Sequence, residues 1–513
     1  MASEDTIEAP SASSRYGAIL KSTSLIGASS MINIAMSVIR LKVLAILLGP
    51  AGIGLFGVYT AIADLTASLV GFGVQSSGVR QVAVALSSGD RLKVARIARV
   101  LTLTSWVLGA VGAVLLIALA QPVAMLSFGT EGRASGVMLI GLAVLLRTMA
   151  GSSSALIQGT LRIGDLARMT VLGALLNTLC AIPLVYVFGE GGVVPSLVAV
   201  ALTSWLAAHW YGRKIVLPKV SLTWAEFSDE TRQLLQLGFA FMASGLLTAG
   251  AAFLIRIVIV QQIGVDAAGN YQAGWSLGGI YVGFILQAMG TDFYPRLSAV
   301  GHDDAECNRM VNEQSRVSIL LAAPGLLGTL ALSPLVMAVF YSTQFADAVP
   351  LLRWFCLGML LRVIAWPMGF IVLAKGAQKV FFWTEVAAAV VQVGLAWVLL
   401  PMVGLVGAGI AFVGLYIWHG LIVFYLVRRM SGFRWSRENL VLIALFVALT
   451  GLVLLGVEVL PFWPGLIWAL LGTAIGSWFS LAQLVRLVPQ QWIPATLRPL
   501  VYVVLRHQPA AAS

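Results

Sequence analysis

Residues 134–158 read ASGVMLIGLAVLLRTMAGSSSALIQ, and residues 349–374 read VPLLRWFCLGMLLRVIAWPMGFIVLA. Each is an apolar run of spanning length, because a helix rising 1.5 Å per residue crosses about 30 Å of hydrocarbon in about 20 residues. Each also carries an arginine about thirteen residues in and directly after a Leu-Leu pair, Arg147 or Arg362; the second stretch has a further arginine, Arg353, near its start. That places each guanidinium about 20 Å along its helix, beyond easy snorkelling, where facing lipid costs about 2.5–3.5 kcal/mol. The two stretches therefore indicate membrane helices whose cations need water, an anion or a buried acid.

Outward from these stretches the pattern continues. Apolar runs near 17–48, 52–79, 98–120, 134–158, 167–189, 193–212, 233–263, 267–292, 315–340, 349–374, 380–400, 404–427, 440–459 and 463–487 predict an all-α integral membrane protein of about fourteen helices. Composition agrees: 59% of the 513 residues are hydrophobic, 10% are charged and mean hydropathy is +0.94, whereas about a quarter of a soluble chain is charged. The runs are continuously apolar, which excludes the alternating strands of a membrane β-barrel. Cys180, Cys307 and Cys356 lie far apart, without metal-ligand or disulfide spacing.

Residues 1–14, MASEDTIEAPSASS, are polar and acidic, with none of the basic and apolar segments of a secretory signal, and read as a disordered cytoplasmic tail. Residues 490–507 mix Trp492, Leu497, Leu500, Tyr502 and Leu505 with Arg498 and Arg506, the pattern of an interfacial amphipathic helix. The 32 Lys+Arg exceed the 21 Asp+Glu by eleven charges. With the amino terminus inside, most basic residues fall on one face, among them Arg80, Arg91, Lys93, Arg96, Arg99, Arg213, Lys214, Arg428 and Arg429; Arg133 and Arg353 fall opposite. Both termini are expected to be cytoplasmic.

Shifted by 215 or 216 residues, the sequence aligns with itself. Arg40 meets Arg256, Gly49 meets Gly264, Arg80 meets Arg296, Leu145-Leu146-Arg147 meets Leu360-Leu361-Arg362, Asn177 meets Gln392, Gly189 meets Gly404 and Gly192 meets Gly407. Six helices thus repeat as six in the same orientation, a transporter arrangement whose path runs along an axis normal to the membrane. The predicted organisation is a first lobe at 15–214, a cytoplasmic linker at 215–232, a second lobe at 233–430, two further helices at 431–488 and an interfacial tail at 489–513. Glycines such as Gly71, Gly73, Gly278 and Gly279 suit close helix packing or bending.

Arg40, Arg147, Arg256 and Arg362 are the candidate substrate-binding residues. For Arg40, Asp64 lies at comparable depth, so a permanent Arg40–Asp64 salt bridge and an ion-coupling role for Asp64 both stand. No comparably deep acid is apparent for the other three, since Asp165, Asp292 and Glu385 sit near helix ends. Cations in excess of acids imply an anionic ligand, and guanidinium forks suit a diphosphate. Tyr271, Trp275 and Tyr281 are candidates either for stacking on sugar rings or for packing; His209 and His419 either titrate or pack.

Residues 48–57, LGPAGIGLFG, together with AGNYQ at 268–272, YPRLS at 294–298 and VLAKGAQK at 372–379 followed by Glu385, resemble segments of Wzx-type flippases in the polysaccharide exporter branch of the MOP superfamily, over roughly residues 15–430. The resemblance implies a MATE-like pair of six-helix lobes around a cationic lumen and alternating access. It implies movement of undecaprenyl-diphosphate-linked oligosaccharide, such as an O-antigen unit, from the cytoplasmic to the periplasmic leaflet of the bacterial inner membrane. The chain is expected to be a monomer and not an enzyme, with no cofactor beyond a possible proton or sodium gradient, no nucleic-acid partner, and possible partnership with a polysaccharide polymerase and chain-length regulator. A multidrug or metabolite antiporter would instead line its cavity with acids for cationic substrates. A membrane enzyme on the same carrier would want clustered acids or histidines, whereas Glu131, Glu190, Asp266, Asp347 and Glu458 are scattered.

Overall fold

With no water in the hydrocarbon to satisfy backbone groups, a chain this apolar closes its hydrogen bonds within helices. The computed structural model describes residues 12–487, which contain no β-strand. Two compact units divide the chain, Met1–Ile257 and Val258–Ser513.

The first unit contains α1 (Ala12–Val70), α2 (Val74–Ser87), α3 (Arg91–Ala118), α4 (Ala120–Phe128), α5 (Ala134–Gly159), α6 (Ile163–Phe188), α7 (Val193–Gly212) and most of α8 (Trp224–Gln262). The second contains α9 (Val265–Ala288), a π-helical turn Met289–Phe293, α10 (Tyr294–Ala299), α11 (Asp304–Ala331), α12 (Ser333–Phe340), α13 (Ala348–Ala374), α14 (Gln378–Val403), α15 (Val406–Ser431), α16 (Arg437–Val459) and α17 (Phe462–Leu487). The division falls inside α8. Helix begins at Ala12, so residues 12–14 are not an unstructured tail, and the expected linker is helical from Trp224. The rest of the amino-terminal tail and the expected amphipathic helix at 490–507 lie outside the described residues.

Among the described residues ten helical stretches are long and apolar enough to span a membrane, eleven if the bent pair α11–α12 counts as one. Two of the ten, Ala28–Val70 and Ile163–Gly212, are each interrupted by a glycine turn, at Gly49 and at Gly189. Helix α9 is not among the ten; Asp266, Asn270, Gln272 and Ser276 dilute it. The expected single span at 315–340 is α11 and α12 joined at an 83° bend.

The internal repeat is written in the backbone. Gly49 (φ 64°) and its counterpart Gly264 (φ 123°) both turn the chain between helices, as do Gly189 (φ 56°) and Gly404 (φ 67°). A side chain at positive φ costs energy that glycine avoids, which is why these pairs keep glycine at the repeat offset. A Cβ at Gly192 would collide with the Leu184 carbonyl, and one at Gly407 with that of Leu399, again 215 residues on. Each arginine-bearing helix is central in its own unit: α5 packs against α1, α2, α3 and α7, and α13 against α9, α11 and α15.

Helices α16 and α17 lie outside the repeat, yet α11 holds both. At one end Asn312 accepts from the Ser436 N–H at 2.8 Å through its side-chain oxygen, and its backbone carbonyl accepts from Asn439 Nδ2 at 2.8 Å. At the other, Arg353 on α13 adds a second hold, pairing with Glu458 of α16 at 3.1 Å while its Nε donates to Ser333 Oγ of α12 at 3.0 Å. Polar helix ends are capped: Asp90 accepts from the Lys93 N–H, Asp303 from the Glu306 N–H, and Ser436 from the Asn439 N–H. Thr223 and Glu226 form a reciprocal capping box at the start of α8, with N–H bonds of 3.0 and 3.3 Å. The Thr223 amide and hydroxyl donors hold the Glu226 carboxyl below the usual range, and Arg96 lies 3.3 Å away.

Candidate functional site

The expected second span, 52–79, is broken. Helix α1 stops at Val70, residues 71–73 form a turn, and α2 begins at Val74. Phe72 (φ 44°) and Gly73 (φ 61°) are both left-handed, an unusual state for phenylalanine. The break is held from α8 by Gly238, where a Cβ would collide with the Phe72 carbonyl. The repeat offset carries residues 71–73 to 287–289, where α9 gives way to the π-helical turn. π-Helical turns recur at functional sites. The second copy thus stays helical where the first breaks, with a π-helical turn beginning there in place of the left-handed turn.

Beside the first break lies a cavity of about 380 Å³ within the first unit, lined by Asp64, Ser68, Gln75, Ser76, Ser105, Arg147, Thr148 and Ser152, with Gly71, Gly73, Gly151, Met242 and Gly245. Arg147 Nη2 donates to Asp64 Oδ1 at 2.5 Å, and both side chains are a little over two-fifths exposed, so the pair is open to the cavity. Thr148 and Ser152 return their hydroxyl protons to carbonyls of α5, leaving oxygen lone pairs for the cavity. No side chain caps α2, whose amino-terminal turn borders the cavity at Val74, Gln75 and Ser76. A helix amino terminus carries partial positive charge and free N–H donors. Chemically the site offers one guanidinium, one carboxylate that neutralises it, and hydroxyl and amide groups suited to an oxyanion.

This corrects two sequence expectations. Asp64 pairs with Arg147, not with Arg40, and Arg147 therefore does have a deep acid. Depth along a helix sets height in the membrane and says nothing of azimuth; the sequence provided only the former. Among the described residues Arg40 makes no ion pair, and its buried Nε has no hydrogen-bond partner. Arg256, on α8, donates from Nη1 to the Ala252 carbonyl at 2.8 Å. Neither Arg40 nor Arg256 lines the cavity.

In the second unit Arg362 has no acid across from it among the described residues. Its guanidinium lies 4.8 Å from the Trp366 ring centroid and 5.9 Å from that of Tyr416, cation–π contacts. Tyr416 continues into an aromatic cluster with Phe412, Phe355, Trp275 and Tyr271. Tyr271 is 3% exposed and stacks on Trp275 at 6.3 Å, so packing is its role in this conformation; Trp275 is half-buried. Tyr281 donates to the Leu321 carbonyl at 2.6 Å. His419, buried on α15, sits 3.7 Å from Glu385 on α14, a contact that sequence did not reveal, and His209 stacks on Trp205. Among the described residues no group of three or more His, Cys, Asp or Glu forms a metal site.

Residues 43–350, well over half the chain, match the family described as Polysaccharide biosynthesis protein. A lipid III flippase of Escherichia coli (strain K12) is 24% identical over 395 residues, covering 76% of this chain and 93% of that protein. A putative O-antigen transporter of Shigella flexneri is 23% identical, covering 75% and 91%. Among solved structures, an inward-facing multidrug-resistance MATE family transporter of the MOP superfamily superposes with TM-score 0.67 at 16% identity over 78% of this chain and 94% of its own. The lipid II flippase MurJ, inward closed, gives 0.62 at 13% over 90% and 99%. Both curated relatives bear the names of transport proteins, not enzymes. With its helical repeat, its apolar spans and the family match over most of its length, this chain is a multi-pass membrane protein of the polysaccharide biosynthesis protein family, Wzx-type, with the fold of the MOP superfamily.

Proposed function

We propose that the protein is a flippase that moves an undecaprenyl-diphosphate-linked oligosaccharide, an O-antigen or related repeat unit, from the cytoplasmic to the periplasmic leaflet of the inner membrane, with both termini cytoplasmic. The observation that carries this reading is the Asp64–Arg147 pair in an open cavity at a broken helix. Transporter sites recur where discontinuous helices present their amino termini to anionic substrates. Here the Asp64 carboxylate occupies the guanidinium fork that a diphosphate would take, so the two anions compete for Arg147. Protonation of Asp64, or its capture of a sodium ion, frees Arg147 for substrate, which couples the ion gradient to the diphosphate cycle. The cavity is exposed to one membrane face and then the other, while the lipid tail stays in the bilayer. Arg362 supplies a second guanidinium held by aromatic faces, and the names of the relatives support the substrate class.

The test is flipping of defined lipid-linked oligosaccharides by the purified protein in liposomes, with and without proton and sodium gradients. Arg147→Gln should abolish flipping at normal membrane insertion. Wild-type rates from Arg147→Gln, or transport of cationic drugs with none of lipid-linked sugar, would overturn the assignment.

A further inference from the structure

At the basic end of the α14–α15 hairpin in the second unit lies an open trough of about 420 Å³. Its walls are Val380, Trp383 and Ala387 on α14 and Trp418, Ile422 and Leu426 on α15, with Lys379 at its mouth. Thr384, the other polar wall residue, spends its hydroxyl proton on the Val380 carbonyl at 2.8 Å, so the wall is apolar in effect. From Lys379 to Ala387 the trough runs eight residues, about 12 Å, nearly the depth of one leaflet. Trp383 is 66% exposed, and Val390 and Trp397, one and two heptads further along the same face of α14, are exposed as well. The opposite face of α14 carries Glu385 toward His419. The trough therefore opens on the side of the hairpin away from the polar groups.

The one charge at its mouth, Lys379, is unmatched. Three other cations at this end of the unit do have acids: Lys375 pairs with Asp304, Arg309 with Glu306 and Glu313, and Arg316 with Glu438. Lys379 has no acidic partner among the described residues and is exposed. An apolar trough of leaflet depth with a free cation, Lys379, at its mouth is complementary to a lipid that has a phosphate headgroup and a hydrocarbon chain. We propose that this trough binds an anionic phospholipid of the surrounding bilayer, its phosphate on Lys379 and one acyl chain between Trp383 and Trp418. This assignment is independent of the transported substrate.

Trp383 and Trp418 report occupancy directly. The full-length protein is placed in nanodiscs of phosphatidylcholine, and brominated phosphatidylglycerol or brominated phosphatidylcholine is added as quencher. The signal is the fluorescence difference between wild type and the Trp383→Phe/Trp418→Phe variant. Each surface cation favours an anionic lipid about five-fold, so half-quenching by the brominated phosphatidylglycerol should need at least five-fold less lipid. Lys379→Gln, at an exposed position with no acidic partner to lose, should reduce that preference about five-fold, to near equality between the two lipids. Equal quenching by the two lipids, or a preference untouched by Lys379→Gln, would overturn the site. Full relief of quenching by an equimolar polyprenyl diphosphate would also overturn it, by giving the trough to that lipid instead.

Discussion

Replacing Asp64 with asparagine removes the carboxylate from Arg147 and keeps the side chain's size. Two unit charges about 4 Å apart interact by about 4 kcal/mol at an effective dielectric of about 20. Both side chains here are a little over two-fifths exposed to the cavity, so solvent screening reduces the useful part to about 1–2 kcal/mol. If Asp64 and the substrate diphosphate compete for one guanidinium, that energy returns to substrate binding. Asp64→Asn should then bind a polyprenyl diphosphate about 5–30-fold tighter than wild type, measured by titration in detergent. It should flip lipid-linked oligosaccharide more slowly in liposomes and lose its response to an imposed gradient, because nothing displaces the substrate. Arg147→Gln should weaken binding, and the double variant should match Arg147→Gln alone, since the carboxylate acts only through the arginine. Independent, additive losses in the two single variants, or weaker binding by Asp64→Asn, would refute the competition.

Gly238→Ala sets a methyl against the Phe72 carbonyl; overpacking of this kind costs about 1–3 kcal/mol and should lower the Tm in detergent while shifting proteolysis toward the 71–73 turn. Gly189→Ala and Gly404→Ala, at φ 56° and φ 67° in the two copies, should each destabilise by about 1 kcal/mol, and their effects on Tm should add because they lie in different units. Arg353→Ala removes the ion pair to Glu458 and the bond to Ser333; about 1–3 kcal/mol of lost charge-assisted bonding should appear as faster hydrogen exchange in α16 near Val457 and Glu458, with α14 unchanged.

The parts of the fold legible in sequence are those that follow from one residue's own chemistry. Gly49, Gly189, Gly264 and Gly404 were readable as repeat partners because a positive φ selects glycine wherever it occurs. The spans were readable because hydrocarbon demands a continuous apolar run, although the strict test for span length and polarity passes over α9, which carries Asn270 and Gln272. The partner of Asp64 was not readable. Asp64 and Arg147 are 83 residues apart, and their meeting depends on how α1 and α5 are rotated about their axes. The same holds for Tyr271, whose ring suits a sugar as well as a protein neighbour; its burial beside Phe355 is decided by packing of α9 on α13. The Gly71-Phe72-Gly73 break was visible as a pair of glycines, and the left-handed Phe72 between them was not.

The repeat preserves scaffold and not electrostatics. Arg147 and Arg362 hold matching positions on the central helix of each unit, yet the repeat offset carries Asp64 to residues 279–280, Gly279 and Ile280, which offer no acid. The second arginine is held instead by the faces of Trp366 and Tyr416. Ring faces stabilise a cation without cancelling its charge, whereas a carboxylate at 2.5 Å cancels it at long range. An approaching anion therefore meets a net positive charge at Arg362 and a neutral pair at Arg147, which it can enter only by displacing Asp64. Under the flippase reading the two copies divide the work, with attraction assigned to Arg362 and ion-dependent exchange to Arg147. Salt should then weaken substrate binding in Arg147→Gln, where only the uncancelled cation remains, more steeply than in Arg362→Gln. Identical salt slopes for the two variants would place both arginines in the same electrostatic role and remove the division.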